Sequence, residues 1–180
     1  MKSIVFALLF LGFFGSLSAQ RMISKTGHVW FVSETGLETI EAHNYQVGTV
    51  MDASNGNLAF QALMRSFQFK KALMQEHFNE KYVESDKFPK ATFKGQIQDF
   101  ADLDLSKEGT YDVEVAGDLT IHGVTKAVST PGKLTVSEAG VQAKAKFTIV
   151  LEEYEVDVPA LYRSNIAENI DIQVDVTYTK

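Results

Sequence analysis

The sequence predicts an all-β fold: an extended, closed antiparallel barrel of about eight strands, with one short helix near an open end. Three observations carry this. Apolar and polar residues alternate with period two through most of the second half of the chain. Short turn signals separate the alternating runs. A single helix-forming segment, Lys70 to Ser85, interrupts them.

The second half is the clearest. Val113, Val115, Gly117, Leu119, Ile121 and Gly123 share one face, against Asp112, Glu114, Ala116, Asp118, Thr120 and His122 on the other. Leu134 and Val136 repeat the pattern. So do Val141 to Leu151 and Ile170 to Tyr178. Pro131-Gly132 and Glu138-Ala139-Gly140 read as turns. In the first half, His28 to Ser33, Thr39 to Tyr45 and Val47 to Met51 read as strands, with a turn at Ser54 to Asn57. Leu58 to Phe69 reads as one long strand that changes parity. Leu58, Phe60, Ala62 and Met64 share a face, whereas Phe67 and Phe69 share the opposite one, so a bulge or bend is expected near Arg65-Ser66. Ala91 to Phe100 is another strand. The helix carries Leu73, Met74, Phe78 and Tyr82 close to one face, and Pro89 makes its continuation costly. It is placed over one end of the barrel. Small residues at expected inward positions (Ala62, Gly95, Gly117, Gly123, Ala143 and Ala145) permit a cavity, although they also fit a barrel's taper.

Residues 1–19 are set aside as a secretory signal peptide. Lys2 is followed by the apolar run Ile4 to Phe14 and the small residues Ser16-Leu17-Ser18-Ala19. The run is about 11 residues, too short for a membrane helix of roughly 20. Residues 20–180 then form one domain, with no transmembrane segment, and an exported protein is expected, periplasmic or secreted. The chain contains no Cys, so disulfides and thiolate chemistry are excluded. Its net charge of −6 argues against a nucleic-acid partner, which needs clustered Lys and Arg.

Two motifs resemble a known family. Asp86-Lys87-Phe88-Pro89-Lys90-Ala91-Thr92-Phe93-Lys94-Gly95 is similar to the strand start of YceI-like proteins. Gly117-Asp118-Leu119-Thr120-Ile121-His122-Gly123-Val124-Thr125-Lys126 resembles that family's "G-x-L-T-I-H-G-V-T-K" hairpin. The resemblance runs from about Thr26 to Lys180. It implies a lipocalin-like barrel, export, and a long-chain amphipathic lipid, polyisoprenoid in the best-known members, inside the barrel. It also makes a homodimer an expectation. The chain departs from the family at the step into the helix, where Phe69-Lys70-Lys71-Ala72 replaces an "Arg-Asp" step, and in a longer loop between Phe78 and Pro89.

A pocket for such a lipid needs apolar side chains rather than catalytic groups. The expected lining is Phe60, Met64, Phe67, Phe69, Met74, Phe78, Phe93 and Phe147, each of which could equally be plain core. Arg65, Lys70, Lys71 and Arg163 are candidate head-group contacts at the mouth, or else solvated surface charges. No cofactor, catalytic set or metal site is expected. His77-Phe78-Asn79-Glu80 lacks the spacing of a zinc hydrolase helix. Asp99, Asp102 and Asp104 lack the glycine of a calcium loop, since Lys107 stands sixth from Asp102. The leading expectation is therefore a non-enzymatic lipid carrier. A filled barrel acting as a structural or interaction protein is the second, and an enzyme acting on a bound lipid the third.

Overall fold

The computed structural model describes residues 21–179; the expected signal peptide, residues 1–19, lies outside the described residues. Nine strands follow in chain order: β1 (Arg21–Glu34), β2 (Thr39–Asp52), β3 (Asn57–Leu63), the two-residue β4 (Gln68–Phe69), β5 (Lys90–Ile97), β6 (Gly109–Ile121), β7 (Val124–Ser137), β8 (Gly140–Val150) and β9 (Asn169–Thr179). The helix α1 spans Ala72–His77 and continues as one widened turn over Phe78–Tyr82.

Every pairing is antiparallel. β1 pairs with β2 on one side and with β9 on the other, so the sheet closes into an eight-stranded barrel, with β4 added beside the upper part of β2. Closure leaves no long free edge, and alternate side chains of each strand face the interior. The parity change expected near Arg65-Ser66 is made by a single 3₁₀ turn at Met64–Ser66. It lets Met64 and Phe67 both be buried although they are three residues apart.

Several boundaries differ from the sequence reading. Thr39 to Tyr45 and Val47 to Met51 are one strand, β2; Gln46 does not break it, and its backbone amide donates to Asn44 Oδ1 at 2.9 Å. Pro131-Gly132 is not a turn but lies within β7, opposite Glu114 and Val113 of β6. Pro131 is tolerated because the β7–β8 ladder begins only at Gly132–Ala145, and the Lys146 carbonyl beside it accepts from Thr130 Oγ1 at 3.1 Å instead of from a backbone amide. Above that point β7 and β8 separate, and the 3₁₀ turn Leu151–Tyr154 fills the gap with the buried Tyr154.

Gly123 is not inward, and His122 does not sit on an outward strand face. The two form the β6–β7 turn with φ of +80° and +52°, the left-handed pair that such a two-residue hairpin demands. The Ala91 to Phe100 strand ends at Ile97. Gly95 and Gly117 pair across β5 and β6 in step with the inward Phe93, Ile97, Val115 and Leu119, but the Phe93 ring lies over Gly95 and neither glycine borders the cavity; a Cβ on Gly95 would collide with the Ala116 carbonyl, and one on Gly117 with the Gly95 backbone.

The lower half of the barrel is solid. Met51, Leu58, Ile97, Leu134, Val136, Val141, Val176 and Tyr178 form one buried cluster. Inside it Tyr178 Oη and Thr49 Oγ1 lie 2.6 Å apart in a hydrogen bond. Burial pushes the Tyr178 phenol up to about 12, the hydrogen bond from Thr49 opposing only in part.

Two outcomes are expected. A group with a raised folded-state pKa contributes stability that is present below its unfolded value, near 10, and lost as pH rises through about 12. Urea midpoints of the wild type should fall across that window more than those of Tyr178→Phe, which should itself lose about 1–2 kcal/mol at neutral pH by leaving Thr49 unpaired. Gly117→Ala should destabilise the barrel by about 1–3 kcal/mol in the same measurement, since its new methyl has only backbone to displace.

Candidate functional site

Above the solid floor the inward side chains do not meet, and an elongated cavity of about 650 Å³ runs upward to the end carrying α1. Its floor is Leu58, Ile97 and Leu134, which also belong to the lower core. Small residues at several levels (Ala143 beside the floor residues Leu134 and Val176, Ala145 above it, Ala62 near the helix end) leave room that a Leu or Phe would take. Aliphatic and aromatic residues of β1, β6, β8 and β9 complete the wall, among them Phe31, Leu119, Ile149 and Ile172.

The helix closes part of the top with aromatic rings. Phe31 lies 5.5 Å from Phe67, 5.8 Å from Phe69 and 5.5 Å from Phe78, centroid to centroid. Phe78 packs on Phe69 at 5.0 Å. Such pairs stabilise beyond simple burial. They hold α1 by one face, and Met74, His77 and Tyr82 from the same segment also line the cavity. Deeper in, Phe60 and Phe93 meet edge to face at 6.2 Å.

Polar groups gather at the rim, apart from Thr92 on β5 and Thr130, Lys133 and Lys144 on the β7–β8 wall. Glu38, in the β1–β2 turn, accepts from Lys71 Nζ through Oε1 and from Asn165 Nδ2 through Oε2, both at 3.2 Å. This carboxylate ties together the turn, the start of α1 and the long β8–β9 connection. A second clasp lies beside the barrel top, where His122 Nε2 donates to Glu84 Oε2 at 2.9 Å and Nδ1 lies 3.3 Å from the Tyr154 carbonyl. Phe88 packs edge-on against the His122 ring at 4.5 Å. His122 thus fixes the hairpin to the two segments that flank the mouth.

Phe60, Met64, Phe67, Phe69, Met74, Phe78, Phe93 and Phe147 all lie on the cavity wall. Of the four basic residues expected at the mouth, Lys71 borders the cavity; Lys133 and Lys144, which the sequence reading did not single out, border it on the β7–β8 side. Arg65 is exposed and paired with Asp86; Lys70 is exposed; Arg163 donates from Nε to the Val158 carbonyl at 3.2 Å and borders a separate, smaller hollow. Phe31, Ile40, Tyr82 and the β6, β8 and β9 liners other than Phe147 escaped the sequence reading of the lining. The sequence reads Phe31 only as part of a strand, and the fold shows it at the centre of the aromatic cluster. Among the described residues no group of three or more His, Cys, Asp or Glu comes together as a metal site.

A closed antiparallel barrel with a deep, almost wholly apolar interior defines a binding protein for an elongated apolar molecule. The sequence matches the YceI-like domain family over residues 21–178, and the chain belongs to that family, which is one of binding proteins. No curated protein matches the chain. Among solved structures it is similar to a polyisoprenoid-binding domain from Saccharophagus degradans implicated in plant cell wall breakdown, at 14% identity and a TM-score of 0.77, covering 88% of this chain and 97% of that one. It is also similar to BcnA of Burkholderia cenocepacia (17% identity, TM-score 0.71, 85% of this chain and 96% of that one). A third likeness is to the YceI protein of Campylobacter jejuni (16%, 0.58, 77% and 85%). At these identities the likeness carries the fold.

The cavity wall also predicts a response to mutation. Phe31→Ala removes the ring that three others contact, and should cost about 3 kcal/mol in chemical denaturation, with α1 the first segment to lose amide protection in hydrogen exchange.

Proposed function

We propose that this protein is an exported carrier that holds one long-chain amphipathic lipid, a polyisoprenoid, tail inward in the barrel, for transport, storage or stress protection. One observation carries the reading: a cavity of about 650 Å³ whose lining is mostly apolar, with Glu38, Lys71 and Asn165 at the end carrying α1. An apolar tail fits the interior, and a polar head fits that rim. Burial at ~25 cal/mol per Å² makes the tail the source of affinity, and the head group only sets direction.

The volume bounds the tail. Packed at organic-solid density, roughly six isoprene units fill the cavity above the floor. Lys71, on the rim, is the cation nearest a head group; Lys70 and Arg163 stand outside it. An exported location rests on the apolar leader at 4–14, and a homodimer on the family resemblance. A filled barrel acting only through partners is disfavoured by the empty upper half.

Gentle mass spectrometry of protein purified from a bacterial periplasm, followed by organic extraction, tests the reading. One isoprenoid per barrel is expected. Protein that comes out empty and takes up no added polyprenol would refute it. Ala143→Phe, which fills the floor end of the cavity without touching the rim, should shorten the longest tail accepted by about two isoprene units; an unchanged length distribution would place the lipid elsewhere.

A further inference from the structure

Ile23, Tyr45 and Leu63 are exposed singly on the strands, but the other four exposed large apolar side chains gather at one end. Leu37 is 75% exposed, Leu161 78% and Leu73 60%, and with Tyr162 they stand on the three segments that surround the cavity mouth. Leu73 and Tyr162 line the cavity itself; Leu37 and Leu161 do not. The Glu38 clasp brings the three segments together, since Leu37 adjoins Glu38, Lys71 precedes Leu73 by two residues, and Asn165 donates its backbone amide to the Tyr162 carbonyl at 2.9 Å.

These tips are built, not loose. Thr35 Oγ1 accepts from the amides of Leu37 and Glu38 at 3.3 and 3.1 Å, and the Thr35 amide donates to the Glu38 carbonyl at 3.0 Å. Leu161 sits in the 3₁₀ turn Ala160–Tyr162, held by the Tyr162 amide donating to the Pro159 carbonyl at 2.8 Å. Two ordered turns thus hold leucines in water, at a standing cost that a binding partner would recover.

We propose that this rim docks on the surface of a phospholipid bilayer, inserting Leu37, Leu73, Leu161 and Tyr162 so that the lipid passes between membrane and cavity without crossing water. The proposal rests on the carrier reading. Two further features select a bilayer as the occupant. The apolar rim is continuous with the apolar cavity, so a docked mouth opens into hydrocarbon. Lys70 and Arg163 stand exposed beside these tips in a chain of net charge −6, where they meet phosphate head groups, Lys71 being already shared with Glu38.

Sedimentation of the protein with vesicles of phosphatidylcholine and phosphatidylglycerol tests this, using the double variant Leu37→Ser/Leu161→Ser, whose residues lie outside the cavity wall. The wild type should sediment with the vesicles, and the variant should do so about fivefold less and move a polyprenol between vesicles about tenfold more slowly. Its uptake of the same polyprenol from ethanolic solution should be unchanged. Equal vesicle binding by both proteins, or none by the wild type, would overturn the proposal. So would a wild-type dimer that the substitutions convert to a monomer without vesicle binding, because the rim would then be an interface between copies. Vesicle docking that depends on the rim, in a protein that takes up no polyprenol from solution, would keep the docking surface and reject the carrier reading.

Discussion

β1 has two partners, and the interior depends on that arrangement. Val29 faces Asn44 of β2 on one side and Val174 of β9 on the other, which joins the beginning of the described chain to its end. With the circle closed, the strands form one continuous hydrogen-bonded ladder around the barrel, so the fold can do without disulfides. Closure also fixes the circumference. Eight strands enclose a space that side chains can fill or leave open, and this chain does both. Below, Met51, Val141, Val176 and Tyr178 fill it completely. Above, Ala62 and Ala145 are among the small wall residues that leave it open.

The circle is imperfect at one place, and the site is organised around it. Beyond Pro131, β7 and β8 part, and backbone pairing there gives way to a packed plug of Tyr154 and Val156 against Leu119, Ile121 and Ile149. The plug is anchored by His122, whose turn requires positive φ at both residues and so holds the imidazole over the segments that flank the mouth. A motif that reads as an outward strand position is thus a positioning device for the rim. The rim in turn is held by one carboxylate, Glu38, shared between two cationic or amide donors. Rigid supports of this kind let an apolar surface stay exposed without collapsing into the cavity it surrounds.

The pattern of what was legible in the sequence follows the range of the interactions. The parity switch between Met64 and Phe67 was visible because both flanking runs obey a strict period of two, and one extra turn is the cheapest repair. The helix was visible but overlong, since Phe78–Tyr82 keeps helical composition while its hydrogen bonds widen to suit the aromatic cluster beneath. Pro131-Gly132 misled because the usual meaning of those residues is local, whereas the gap that tolerates them belongs to β8. The eight apolar residues expected on the wall stand there, but Arg65 does not approach the mouth, because Asp86, distant in sequence, holds it on the outer surface.

The sequence by itself determined the fold class, the family and the apolar character of the interior. Each rests on alternation or on a contiguous motif, and strand backbone geometry turns alternation directly into two faces. Only the tertiary structure decided where the interior is solid and where it is hollow. It also decided that Phe31 sits at the centre of the helix contact, and that four exposed apolar side chains from three segments share one rim. Volume and juxtaposition depend on all eight strands at once: whether an inward residue meets an opposing side chain is set by partners across the barrel, which no local pattern encodes.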